Sequence, residues 1–264
     1  MPYPNPPLVL TVCEIRFPEL VRSMASDVRE RIKAAVKSDL PLHETITDQV
    51  IDFTPEGPRA TAQQLPRFTT RDRTSSMVVT RSTVSIETTA YDGYEGFRSL
   101  IELAVSSIVD NIEIDGLSRV GLRFIDEIRV PSIKDMPGNW TGYIDNHLLA
   151  TVSDEFLAET NLTPQAWQGN VRYSTRTDST LALRYGPQVG HATDPNGPTR
   201  RLNTKPPGVF FLLDSDSYWE ARDSIPEFTV AEVMRHCDEL HPHTRAVFDA
   251  VCTERLRHEV FGRG

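Results

Sequence analysis

Apolar and polar residues alternate along residues 8–17, LVLTVCEIRF. Val9, Thr11, Cys13, Ile15 and Phe17 share one face, and Leu8, Leu10, Val12, Glu14 and Arg16 share the other. This period of two predicts a strand, covered on both faces near its start and on one face near its end. Pro18 then suits the first position of a helix, where its missing N–H costs nothing. Leu20, Val21, Met24, Val28, Ile32, Ala35 and Val36 recur at three- and four-residue steps, which predicts an amphipathic helix from Pro18 to about Lys37. Strand signals rich in Val, Ile and Thr follow at 46–54, 66–70, 76–81 and 83–90, with a turn at Pro55–Pro58. A second helix is expected at 94–111, with Phe97, Ile101, Ala104, Val105 and Ile108 on its buried stripe. A second strong strand is expected at 118–130, a partly helical stretch at 142–160, and strands at 168–176, 180–186 and Val209–Leu213. Residues 187–207 lack periodicity, and 187–208 hold five prolines and three glycines, so this stretch reads as a long mobile loop. Thr229 and Glu232 form a capping box that starts a helix to about Leu240. Pro242 is expected to break or kink it, and a last helix carries Val247, Phe248, Val251, Cys252, Leu256, Val260 and Phe261.

One internal echo organises these elements. CEIRFP at 13–18 returns as DEIRVP at 126–131, aligning Glu14 with Glu127 and Arg16 with Arg129. Each is followed by a helical segment, a set of strands and a helix. The expected fold is therefore α+β: an antiparallel sheet with helices packed on one face, built as a pseudo-twofold duplication of β-α-βββ-α. The 264 residues are read as a single domain with two intimately packed halves, 1–115 and 116–264.

Composition narrows the function classes. Lys and Arg number 28 against 37 Asp and Glu, a net charge of −9, with a pI near 5.3. This disfavours nucleic acid and anionic membranes as partners. No apolar run approaches the ~18 residues of a membrane span, and the N-terminus lacks the basic and apolar regions of a secretory signal. Cys13, Cys237 and Cys252, odd in number and widely spaced, fit a reducing compartment, so a cytoplasmic location is expected.

The chemistry-bearing residues point in several directions. There is no G-x-S-x-G elbow and no phosphate-binding glycine loop, so neither a catalytic residue nor a cofactor is expected. Glu14, Arg16, Glu127 and Arg129 would meet if their strands paired across the pseudo-twofold, with Arg123 on the same face. Cross-strand ion pairs account for such a set without any function; a pocket for a carboxylate or phosphate is the other reading. For a metal ion the candidates are Asp214 and Asp216, two apart at a strand end, and His236, His241 and His243. Turn chemistry and helix-end histidines are the plainer readings of both sets. Arg172, Arg176 and Arg184, with Trp167, Tyr173 and Tyr185 nearby, hint at a basic sheet for single strands, but strand alternation points the tyrosines away from the nearest arginines.

Several stretches resemble a known family. They are Tyr3-x-Asn5-Pro6-Pro7-Leu8-Val9 followed by Cys13-Glu14-Ile15-Arg16-Phe17, Tyr91-x-Gly93-Tyr94-Glu95-x-Phe97, Val120-Gly121-Leu122-Arg123-Phe124-Ile125, Leu213-Asp214-x-Asp216-x-Tyr218, and a closing helix with Phe248, Cys252-Thr253, Leu256-Arg257 and Phe261. Together they resemble a sporadically distributed prokaryotic family of unknown function. The loop at 187–207 is longer than that family's norm, and Leu10-Thr11 stands where a Glu-Ala pair is more usual. The resemblance implies no activity or site residues. Its patchy distribution suggests a mobile or defence-related locus. The leading expectation is a cytoplasmic module that binds another protein, antitoxin-like or accessory to such a locus, whose acidic charge would complement a basic partner. A homo-oligomer is compatible with this. The alternative is a small-molecule-binding protein or enzyme with a charged pocket on the sheet face.

Overall fold

The computed structural model describes residues 3–20, 25–54 and 57–263. Nine strands form one antiparallel sheet: β1 (Leu8–Arg16), β2 (Leu42–Thr54), β3 (Gly57–Thr69), β4 (Ser75–Val79), β5 (Thr83–Thr88), β6 (Arg119–Ile128), β7 (Gly169–Ser174), β8 (Thr180–Gly190) and β9 (Gly208–Glu220). The helices are α1 (Ser26–Val36), α2 (Tyr94–Val109), α3 (Asn146–Leu149), α4 (Asp154–Thr160), α5 (Val230–Val251) and α6 (Glu254–Glu259). The strand order is β2-β3-β4-β5-β1-β6-β9-β8-β7. On each side of the β1/β6 pair the first strand of a half lies innermost, beside the last strand of that half, and β2 at one edge has no counterpart at the other. The pairing register follows the sequence echo. Cys13 faces Leu122, and equating Cys13 with Asp126 predicts Val9 opposite Asp126; the ladder places Leu8 there, because it slips by one residue between Leu8 and Leu10.

The alternation in β1 is realised as read. Val9, Thr11, Cys13, Ile15 and the following Phe17 are buried, while the other row is only partly covered. The buried row faces helices: α5 packs on β6 and β9, α2 on β5 and α5, and α1 on α2 and β3. Two apolar clusters fill this side. One gathers Cys13, Ile15, Met77, Ile86, Ile101, Val120, Leu122, Val233 and Cys237; the other gathers Ile128, Trp140, Tyr143, Phe211, Leu213, Val251, Leu256 and Phe261.

Several boundaries differ from the sequence reading: β2 starts at Leu42, β3 at Gly57 inside the expected turn, and β9 runs on to Glu220, and three further differences have a tertiary reason. Pro18 does not open a helix. The Phe17 and Leu20 N–H groups donate to the Ser82 and Arg81 carbonyls, which holds this stretch against the β4–β5 turn, and α1 starts at Ser26. The expected stripe residues Val21 and Met24 and the turn residues Pro55 and Glu56 lie outside the described residues. Thr229 caps α5 as predicted, its side chain accepting from the Glu232 N–H, but the helix runs through Pro242 to Val251. A proline inside a helix costs about 3 kcal/mol; here both halves of α5 are pinned, the first to one apolar cluster through Val233, Met234, Cys237 and Leu240, the second to the other through Val247, Phe248 and Val251. Finally, residues 187–190 continue β8, and 191–207 form a strap against the helix-free face of the sheet. Arg200 N–H donates to the Arg73 carbonyl, and Thr199 bonds Glu87 and the buried Arg67 on the β3–β5 side. Among the described residues, no helix is long and apolar enough to cross a membrane.

Candidate functional site

Where the two apolar clusters meet, the helix side of the sheet opens into a cleft of about 600 Å³, the size of a small-molecule site. Its walls come from distant parts of the chain. The N-terminal arm supplies Tyr3, Pro6 and Pro7, and β6 supplies Phe124 and Asp126. The β5–α2 connection contributes Tyr91, Asp92 and Tyr94, while Ser215 comes from β9. The strap reaches in with Leu202 and Asn203, and α5 adds His241, Thr244, Arg245 and Phe248. The arm is held in place. Tyr3 sits 6.1 Å from the ring of Phe248 and 5.1 Å from that of Phe261, and the Asn5 N–H donates to the Phe261 carbonyl at 3.1 Å. Gly93, at φ +139°, gives the turn into α2 a conformation that a side chain would strain.

The walls are largely aromatic and the polar groups few. His241 stacks on Tyr94, with ring centroids 3.9 Å apart and planes 5° from parallel. Burial, reinforced by Arg245, lowers the His241 pKa and keeps the ring neutral. The Tyr94 hydroxyl donates to Asp238 at 2.9 Å, and burial raises the Tyr91 hydroxyl to about 12. Arg245 has its Nε on Asp249 at 2.7 Å. Asp126 stands apart from all of these. It is 4% exposed, and among the described residues its carboxyl makes no hydrogen bond and no ion pair. Burial, with a smaller contribution from Asp214, raises its pKa to about 8. An unpartnered carboxyl at the wall of a cleft is costly to keep unless something polar reaches it.

The charged residues singled out in the sequence lie elsewhere. Glu14, Arg16, Arg123, Glu127 and Arg129 do share the helix-free face, but they do not converge. Glu14 faces Gly121 across the ladder, six residues along β6 from Glu127, or about 20 Å at strand rise. Arg16 opposes Arg119 rather than Arg129. The antiparallel pairing sends the two halves of the echo to opposite ends of the sheet. Each residue is instead satisfied locally. Arg119 donates to Glu14 at 2.7 Å, and Arg16 reaches the same carboxylate at 2.9 Å. Arg123 makes two 2.7 Å bonds to Asp214, which also pairs with Arg184. Glu127 accepts from Arg129 at 2.7 Å, Arg201 at 2.9 Å and the Ala192 N–H at 2.9 Å. Burial pushes the Glu127 pKa up, but these three donors prevail and hold it below the ordinary range. The set forms a row of ion pairs on the helix-free face that also ties down the strap.

The metal candidates are separated too. Asp214 and Asp216 face away from the helices with their arginine partners, whereas His236, His241 and His243 sit on α5 beneath the other face. His236 is buried, stacked on Trp219 at 3.9 Å and within 3.3 Å of Glu232; His243 lies 3.5 Å from the Ser217 hydroxyl. The sheet stands between the two sets, and among the described residues no cluster of three or more His, Cys, Asp or Glu side chains could hold a metal ion. The basic-sheet reading loses Arg184 to Asp214, and Tyr185 packs with Trp167 and Phe211 on the helix side.

Of the cleft residues, the sequence marks only His241 as a site candidate, and as a metal ligand. Asp126 was visible as part of DEIRVP without being singled out. The signal was there: in the helix-facing row Val120, Leu122, Phe124, Asp126 and Ile128, one carboxylate interrupts an apolar series. No protein-family model and no curated protein matches the chain.

Proposed function

We propose that the protein binds a small, largely apolar molecule in the cleft between α5 and the sheet, with one polar group of the ligand directed at Asp126. The observation that carries this reading is a buried, unpartnered carboxyl on the wall of an aromatic-lined cleft of about 600 Å³. The reading is of binding: among the described residues Ser215, the serine of the cleft wall, makes no hydrogen bond to His241 or to Asp126. The acidic module for another protein is the second reading, supported by the net charge of −9.

The test uses N-phenyl-1-naphthylamine, a neutral dye that brightens in apolar surroundings. Saturable one-to-one binding is expected. Leu202→Trp, at a strap position that is 53% exposed and lines the cleft, is expected to weaken it at least tenfold without lowering the melting temperature. Absence of saturable binding, or binding indifferent to Leu202→Trp, overturns the reading and returns the protein-binding module to first place.

A further inference from the structure

We infer that the ligand of the cleft carries an ammonium group, held by Asp126 and by the faces of the surrounding aromatic rings. This inference rests on the cleft-binding reading above and adds the ligand's charge. Three features of the cleft support it. First, its aromatic wall is made of Tyr3, Tyr91, Tyr94, Phe124 and Phe248, and ring faces attract cations once water is excluded. Second, the charge balance favours a cation. Arg245 is the single basic side chain among the lining residues, and its guanidinium is already engaged by Asp249 at 2.7 Å. Asp92 and Asp126 both line the cleft, and Asp126 has no partner among the described residues. Third, the neighbouring imidazole is no rival cation: His241, stacked on Tyr94, is kept neutral by burial.

An anionic ligand would place like charge beside Asp92 and Asp126 and would find no free arginine to receive it. A neutral alcohol could bond the protonated Asp126 carboxyl but would gain nothing from the rings. The residue opposite Asp126 on β9 is the apolar Leu213, and on the other face of the sheet Arg123 and Arg184 are already paired with Asp214, so neither supplies a cation to neutralise Asp126.

The experiment compares three probes of one shape by calorimetry on the whole protein at pH 8.5: 2-(1-naphthyl)ethylamine, 2-(1-naphthyl)ethanol and 1-naphthylacetate. The amine is expected to bind at least tenfold more tightly than the alcohol, and the carboxylate not measurably. In Asp126→Asn, an isosteric change, the amine is expected to fall to the level of the alcohol while the alcohol is unchanged. Equal affinity of amine and alcohol for the native protein overturns the ammonium assignment and leaves the cleft reading standing. Binding by none of the three overturns both. The comparison on the native protein decides the matter even if the variant does not fold.

Discussion

Asp126 couples the stability of the fold to pH. Its folded pKa, near 8, lies well above the ~3.9 of an unfolded aspartate. Between these values the native state holds a proton that the unfolded state has lost, so stability falls as pH rises from about 4 to about 8. The slope approaches about 1.4 kcal/mol per pH unit from this one group. Asp126→Asn removes that slope. The variant is expected to be more stable than the native protein at pH 8.5 and close to it at pH 5, with urea denaturation at the two pH values as the measurement. Identical pH profiles for the two proteins would mean that Asp126 ionises normally.

Among the elements, the strap at 191–207 is held at both Ala192 and Arg201 by one carboxylate, that of Glu127. Glu127, itself buried, receives Arg129 and, from the strap, Arg201 and the Ala192 N–H. Glu127→Gln leaves both guanidiniums without their counter-charge. Removing one partner of a buried ion pair typically costs about 3–5 kcal/mol, and a loss in that range is expected in urea denaturation. The same variant is expected to become sensitive to limited proteolysis within 191–207, because the strap loses the charged anchor that holds Ala192 and Arg201 and keeps only the contacts around Thr199 and Arg200 between them. Cleavage at the native rate would mean that the contacts around Thr199 suffice. Helix α5 shows the opposite economy of contacts: it tolerates Pro242 because apolar surface holds it on both sides of the proline.

For the whole molecule, α5 makes the two apolar clusters one mechanical unit. The sheet is continuous through β1 and β6 and the helix bridges the seam, so neither cluster can unfold without exposing part of the other's surface. Trp219 packs against the first cluster, while Trp140 and Trp167 belong with the second. A variant with Trp219 alone (Trp140→Phe, Trp167→Phe) and one with Trp219→Phe therefore report the two halves separately. Their urea transitions are expected to coincide with each other and with the loss of far-ultraviolet ellipticity, as in two-state unfolding. Separated midpoints would show that the seam, and with it the cleft, opens before the rest.

The sequence by itself determined the local periods and the arrangement they imply. The alternation of Val9, Thr11, Cys13, Ile15 and Phe17, the stripe of Phe97, Ile101, Ala104, Val105 and Ile108, and the Thr229 cap all act within a few residues of one another, and the folded chain follows them. The CEIRFP and DEIRVP echo marks the two strands, β1 and β6, that pair at the centre of the sheet. The tertiary structure alone decided what those elements meet. Antiparallel pairing at the centre separated Glu14 from Glu127 and gave each its own arginine. The sheet came between Asp214 and the histidines of α5, and Pro242 was absorbed into one helix because both flanks are buried. The cleft around Asp126 lay beyond any local pattern, since its walls are contributed by residues from Tyr3 to Phe248. Ladder register, the side of the sheet on which a residue falls and the shape of a cavity are set by contacts between distant segments, and a period of two or of 3.6 carries no information about them.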